Sequence, residues 1–286
     1  MFKKIFSDKS LIAAMLPLCT EEYKGRKPPP VEWIEEMDTE RWTTGYGYVR
    51  LDLLFRVKAP DGSYFYFNVE GQNRFYPGYP LRKRILAYLH HIVLSEREQE
   101  AERQPEQSFY ASFKKVYCLW IALYPPKKHQ WCVKRYRWME STEYDADKPK
   151  KLQEVSEASQ AILVCLGDPH MLDWNQKKPR LLRFIGILLD PFLSEHERAG
   201  LLQEHFAYTL SREKGKELEN MCDLIGTMAE LVAEEMVEAK AKEMAEAKAK
   251  EMAEEKAEER KHIIDFLRSQ NVDPLIIQKL QTATLV

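Results

Sequence analysis

Strand-like and helix-like patterns alternate along this chain of 286 residues, and the alternation predicts an α/β fold, with helices and sheet sharing one α+β core. Three observations carry that expectation. Residues 48–57 and 64–70 are rich in β-branched and aromatic side chains, and they flank Pro60-Asp61-Gly62, a tight-turn signal. Leu81, Ile85, Tyr88, Leu89 and Ile92 recur at helical spacing. Lys115 to Tyr124 is an apolar run closed by Pro125-Pro126, which reads as a buried strand.

Taken in order, the first segment mimics a secretory signal, with Lys3-Lys4 ahead of Leu11-Ile12-Ala13-Ala14-Met15-Leu16. Asp8 and Lys9 interrupt it and no small-residue cleavage site follows. An internal helix with Ser7 or Asp8 as its N-cap is the better account. The hairpin comes next, then the loop Asn73 to Pro80, then a helix from Leu81 to about Arg97. Beyond the buried strand, Ala161 to Gly167 reads as a further strand and Arg180 to Leu189 is mostly apolar. Ser194 to Leu210 reads as a helix opened by a capping box, Ser194-Glu195-His196-Glu197. The histidines of Asp168-Pro169-His170 and Glu195-His196 are isolated and are not read as metal ligands.

The tail is different. Glu235–Lys242 and Glu243–Lys250 are successive copies of an eight-residue Ala-, Glu- and Lys-rich unit, followed by a degenerate copy at Glu251–Glu258. The composition is strongly helix-forming. Glu238–Lys242 and Glu246–Lys250 are favourable i,i+4 pairs, each worth about 0.2–0.5 kcal/mol. Eight residues turn a helix through roughly 800°, so the methionines drift around its surface and no heptad seam persists. A single charged helix acting as a spacer is expected, with self-association into a homodimer as the alternative. His262 to Ser269 and Pro274 to Thr282 follow as two short amphipathic helices. The expected division is a main domain at 1–228, a charged helical extension at 229–262, and a terminal helical unit at 263–286.

The chemistry concentrates in the hairpin. If its turn is symmetric about Asp61, residues whose numbers sum to 122 face each other, and Asp52 lies opposite Glu70. Arg50 and Gln72 share that face by the period-2 rule. Acidic residues suit strands poorly, so the pair calls for a reason. Either both sit at a sheet edge, solvated or paired with Arg50 and Arg74, or they share a cation. Oxygen-only ligands favour Mg²⁺ or Mn²⁺ over zinc, and Mg²⁺ commonly takes one or two carboxylates plus water and phosphate oxygens. Arg82, Lys83 and Arg84 crowd the first turn of the following helix, the unfavourable end of its dipole for cations, and phosphate binding would rationalise them.

These residues resemble the PD-(D/E)XK nuclease superfamily, and within it the branch of bacterial recombination-promoting nucleases and related transposases. The likeness rests on Leu51-Asp52-Leu53-Leu54, Asn68-Val69-Glu70-Gly71-Gln72, Lys83 to Tyr88, and Glu219-Asn220-Met221-Cys222-Asp223. It covers residues 5–125 well and the later half more loosely. It implies a restriction-endonuclease-like αβββαβ core with a mixed sheet, and Mg²⁺-dependent endonuclease activity on DNA linked to recombination or a mobile element. Asp52 and Glu70 would be the metal ligands. Gln72 stands where the family usually has a water-positioning lysine, and Glu22, with Glu21 next, is the candidate for the acidic residue of the first helix. Arg84 and Tyr88 look like the family's helix motif, and Arg74, Arg82, Lys83 and Arg84 are candidate DNA contacts. A module of the same fold that binds DNA without cleaving it, or one that acts by protein interaction through its tail, are the alternatives.

Charge fits a polyanionic partner. From Arg74 to Arg137 there are 13 Lys and Arg against 5 Glu and no Asp, a local balance of +8, whereas Glu213 to Arg260 carries 15 acidic and 8 basic residues, a balance of −7. Interspersed basic residues that only keep a surface soluble are the plainer alternative. The 5 cysteines are scattered, odd in number and without CxxC spacing, which points to a reducing cytoplasm. No apolar run approaches the roughly 20 residues of a membrane span.

Overall fold

The computed structural model describes residues 2–43, 47–73, 75–103, 113–141, 152–155, 157–167 and 178–220, with residues 244, 252, 261–262 and 264 of the tail. The chain divides into two compact units, Met1–Thr227 and Met228–Val286. In the second unit the described residues are all helical. The repeats, the terminal helical segments, Arg74, the Asp168–His170 segment and Met221 to Asp223 otherwise lie outside the described residues.

The first unit is a mixed α/β structure with one mixed sheet flanked by helices. Two helices lead in: α1 (Phe2–Phe6) and α2 (Lys9–Cys19). Asp8 caps α2, accepting from the Ser10 backbone N–H at 2.8 Å, as the pattern of residues 7–16 leads one to expect. The strands β1 (Ile34–Glu36), β4 (Leu53–Lys58), β5 (Tyr64–Gln72) and β6 (Val116–Ala122) stand side by side in that order. The first three are antiparallel, and β6 runs parallel to β5. The crossover between β5 and β6 is α3 (Leu81–Arg103), which continues past the expected end near Arg97. Beyond β6 the sheet adds β10 (Gln160–Cys165), parallel to β6, and β7 (Cys132–Tyr136), antiparallel at the edge. A small ribbon, β8 (Met139–Ser141) with β9 (Leu152–Glu154), extends from that edge.

Burial explains the layers. In β6 and β10 every residue is buried, as strands covered on both faces must be. One face packs on α1, α2, α4 (Arg180–Leu188) and α5 (Glu195–Phe206) through Phe55, Phe67, Leu119, Ile162 and their neighbours. The other packs on α3, where Ile85, Leu89 and Ile92 meet Trp120, Cys118 and Leu163. The expected capping box of α5 is present, Ser194 and Glu197 bonding each other's backbone. That helix ends at Phe206 rather than Leu210, closed by Ala207 in the left-handed region at φ 54°.

Sequence patterning correctly set the hairpin register, from Leu53 opposite Val69 to Lys58 opposite Tyr64. It did not anticipate a break at its start. Residues 48–57 form two elements, not one strand. The segment β3 (Gly47–Arg50) pairs with β2 (Glu40–Thr43) in a separate hairpin, and β4 begins only at Leu53. Arg50 therefore faces Glu40, not Gln72. The β2–β3 hairpin lies along α3, pinned by a buried Arg41–Glu96 ion pair at 2.8 Å and by Thr43 Oγ1 against His91 Nε2 at 2.9 Å. No helix among the described residues is long and apolar enough to cross a membrane.

Candidate functional site

The break that separates β3 from β4 puts Asp52 in a bend, and its side chain takes over a backbone task there. Gly71 N–H donates to Asp52 Oδ2 at 3.0 Å, while Asp52 N–H donates to Glu70 Oε1 at 2.9 Å. The two acids thus sit side by side, each gripping the other's strand. Period 2 sends Asn68, Glu70 and Gln72 to the α3 face of β5, and Asn68 Nδ2 donates a second bond to Glu70 Oε1 at 2.9 Å. Beneath them lie Cys118 and Trp120, the β6 partners of Asn68 and Glu70.

Burial dominates the electrostatics. Glu70 is only 3 % exposed, and desolvation lifts its carboxyl pKa from 4.5 to about 7, against the opposing pull of the Asn68 and Asp52 hydrogen bonds. The Asp52 charge adds to the rise and the Arg84 guanidinium opposes it. Among the described residues, Glu70 Oε2 accepts no hydrogen bond and Asp52 Oδ1 meets only Lys3 Nζ, at 3.8 Å. Lys3 also donates to the Leu51 carbonyl at 3.2 Å, so α1 brings a cation to the edge of the site. Burial pushes the Cys118 thiol well above its ordinary pKa, with Glu70 adding to it, which removes it as a nucleophile.

Gln72, 5 % exposed, accepts from Arg84 Nη1 at 3.2 Å, and Arg84 Nη2 donates to the Tyr88 hydroxyl at 3.0 Å. The guanidinium also lies over the rings of Tyr88 and Trp120, at 5.0 and 5.4 Å from their centroids. Arg84 is therefore fixed by three neighbours, Gln72, Tyr88 and Trp120, rather than waving in solvent. Arg82 and Lys83, in the same first turn, are exposed. Asp52, Glu70, Gln72 and Arg84 are thus gathered at one end of the sheet, where the parallel strands β5 and β6 terminate.

Glu22 is not brought there. Its carboxylate accepts from the Tyr117 hydroxyl at 2.7 Å and pairs with Lys115 Nζ at 3.4 Å. Tyr117 faces the α2 side of the sheet, three positions before Trp120 along β6, a span of about 10 Å. Glu21 pairs with Lys24 and Arg137 in the same remote cluster.

Two partners of the site escaped the sequence reading. Asn68 stands two residues before Glu70, so alternation alone places it on the same face. Lys3 carries no local signal, because only the packing of Phe2 against Gly71 brings α1 over the end of β5.

Asp52 Oδ1 and Glu70 Oε2 offer a hard, oxygen-only donor pair suited to Mg²⁺ or Mn²⁺, and a buried carboxylate with a raised pKa is one that a cation would restore to its charged form. Among the described residues no group of three or more His, Cys, Asp or Glu side chains is arranged around a metal position, so water or phosphate oxygens would complete any such shell. No family model, curated protein or solved structure matches this chain.

Proposed function

We propose that the chain is a divalent-metal-dependent endodeoxyribonuclease on a restriction-endonuclease-like core. One observation carries the reading: Asp52 and Glu70 are locked together by reciprocal backbone bonds at the end of the sheet, with Glu70 buried and its pKa raised by that burial. The order of α2, β1, β4, β5, α3 and β6 agrees with an αβββαβ core, the β2–β3 hairpin being an insertion between its first and second strands.

Asp52 and Glu70 would hold Mg²⁺ or Mn²⁺, which when bound supplies a water of lowered pKa and polarises the scissile phosphate. The chain's own groups do the rest. Arg84, already oriented by Gln72 and Tyr88, presents positive charge beside the carboxylates, and Gln72 itself supplies none. A guanidinium held in this way matches phosphate geometry and offsets the charge that builds on the phosphorane oxygens. Arg82 and Lys83 extend the positive rim for the strand on either side of the cut. Recombination or a mobile element is the setting we propose, in a reducing cytoplasm.

A second reading has its own observation. The Gln72 oxygen is engaged by Arg84, and no lysine stands at that place on β5, which favours a module that binds DNA without cutting it. Supercoiled-plasmid nicking with Mg²⁺, Mn²⁺ or EDTA separates the two. Cleavage that needs the metal and vanishes in Asp52→Ala and Glu70→Ala is the expected result. Binding with no cleavage under any metal would leave the silent module.

A further inference from the structure

Two loops meet beside Gln72 at the end of the sheet, tied by Leu123 N–H donating to the Gln72 carbonyl at 3.1 Å. Residues 75–80 bring Phe75 and Tyr76, and residues 123–131 bring His129. Phe75 and His129 stack at 4.9 Å with planes 22° apart, and Tyr76 stands edge-on to both, at 5.1 and 6.4 Å. Tyr76 nonetheless remains 56 % exposed, and Tyr79 in the same loop 48 %. A group of exposed rings on a supported base is the kind of patch that marks an interaction surface.

Several backbone positions of these loops are restricted. Pro77, Pro80, Pro125 and Pro126 fix their backbones, and Gly78 takes φ 90°, a conformation other residues rarely adopt. Gln130 Nε2 donates to the Pro125 carbonyl and Cys132 Sγ to the His129 carbonyl, closing the second loop on itself. Rings presented in this way lose little conformational freedom on binding.

Charge identifies the occupant. Burial, with Lys134 and Lys128 beside it, holds the His129 pKa below the ordinary histidine value, which favours the neutral ring. Those two lysines and the exposed Lys127 and Arg82 form no ion pair among the described residues. Open aromatic faces inside a field of uncompensated cations match a strand whose phosphates meet the lysines while its bases stack. A base can do so only when it is unpaired.

We propose that the Phe75–Tyr76–His129 cluster is a stacking platform for unpaired nucleobases, and that the DNA taken to Asp52 and Glu70 is single-stranded or locally melted. The inference rests on the nuclease reading for its substrate, but its test does not need catalysis. Fluorescence anisotropy in EDTA compares a labelled oligothymidylate with a duplex of equal length, for the wild type, Tyr76→Phe, Tyr76→Leu and the control Tyr64→Leu. Tyr64 is also exposed but lies at the opposite end of β5. The single strand should bind at least about tenfold more tightly than the duplex, and Tyr76→Leu should lose about 5- to 150-fold of that affinity. Tyr76→Phe and Tyr64→Leu should match the wild type. Equal or tighter duplex binding, or Tyr76→Leu indistinguishable from Tyr64→Leu, would overturn the platform. If plasmid nicking fails while this pattern holds, hydrolysis falls and the platform stands.

Discussion

Asp52 and Glu70 exchange support across the start of the β4–β5 hairpin: the Asp52 amide donates to the Glu70 carboxylate, and the amide after Glu70 donates to the Asp52 carboxylate. Each acid is thereby a structural partner of the other as well as a candidate ligand. Substitutions must be chosen with that in mind. Asp52→Asn and Glu70→Gln keep an oxygen acceptor in each bond, so both proteins should fold. Each should lose at least about 100-fold in metal-dependent plasmid cleavage, comparable to removing a preorganised electrostatic contributor. Circular dichroism beside the nicking assay checks that the loss is chemical and not structural.

The raised pKa of Glu70 makes a pH prediction. In the unfolded chain the carboxyl titrates near 4.5 and in the folded protein near 7, so the folded state holds the proton more tightly. The stability this represents is present in full below pH 4.5 and is lost as pH rises through 7. The difference between 4.5 and about 7 is worth roughly 3 kcal/mol. Metal-free wild type should therefore melt at a lower temperature at pH 8 than at pH 5.5. Glu70→Gln, which has no proton to lose, should show a flatter profile over the same window. Added Mg²⁺ should raise the wild-type melting temperature at pH 8 and leave Glu70→Gln unmoved, by mass action on the ionised form. Parallel pH profiles for the two proteins would refute the assignment.

The hairpin, its register and the crossover helix were legible because each is written locally: Pro60-Asp61-Gly62 centres the turn, and Leu81, Ile85 and Leu89 mark one helix face. The break at Leu51-Asp52 was not legible. An aspartate that replaces a ladder partner with its own side chain looks, in sequence, like any polar residue in a strand. Strand β1 is only three residues long, Ile34–Glu36, and β7 is half-buried to exposed with no fully buried residue, so neither rises above a loop in composition. Asn68 was legible by alternation once Glu70 was chosen. Lys3 and the Arg84–Gln72 bond are tertiary, depending on how α1 and α3 dock.

Glu22 supplies a contrast. With its carboxylate held by Tyr117 and Lys115 on the far face, Glu22→Gln should leave cleavage within about twofold of the wild type, since surface substitutions away from a site change little. Burial pushes the Tyr117 hydroxyl above its ordinary pKa, so it stays protonated and can donate equally to the amide oxygen. Loss of cleavage by tenfold or more in nicking assays would bring the end of α2 into the chemistry after all.

Gly71 reports on α1. A Cβ built there would stand 3.0 Å from the Phe2 ring, which would have to give by a few tenths of an ångström. Gly71→Ala should cost about 1–3 kcal/mol, the range for overpacking a fitted contact, read as a lowered denaturation midpoint. Phe2→Leu should recover part of that cost in the double variant, because the smaller side chain vacates the space. No coupling between the two substitutions would mean that α1 does not pack on the end of β5.

The Gln72–Arg84 pair decides whether the absent lysine is a defect or a substitution by another cation. Gln72→Lys removes the acceptor of the Arg84 bond and places a second positive charge beside the guanidinium at a site 5 % exposed. Losing a buried bond of this kind costs about 1–3 kcal/mol, so Gln72→Lys alone should be destabilised and no more active than wild type. Arg84→Met alone should lower kcat, since it removes the cation that donates to the Gln72 oxygen. If Arg84 supplies the charge that, on the proposed nuclease reading, a lysine at 72 would supply, the double variant Gln72→Lys/Arg84→Met should recover stability and cleavage beyond the sum of its parts. A double-mutant cycle on both readouts measures that coupling. Additive losses would mean that the two side chains act separately, and that the charge on Arg84 serves DNA binding rather than the reacting phosphate.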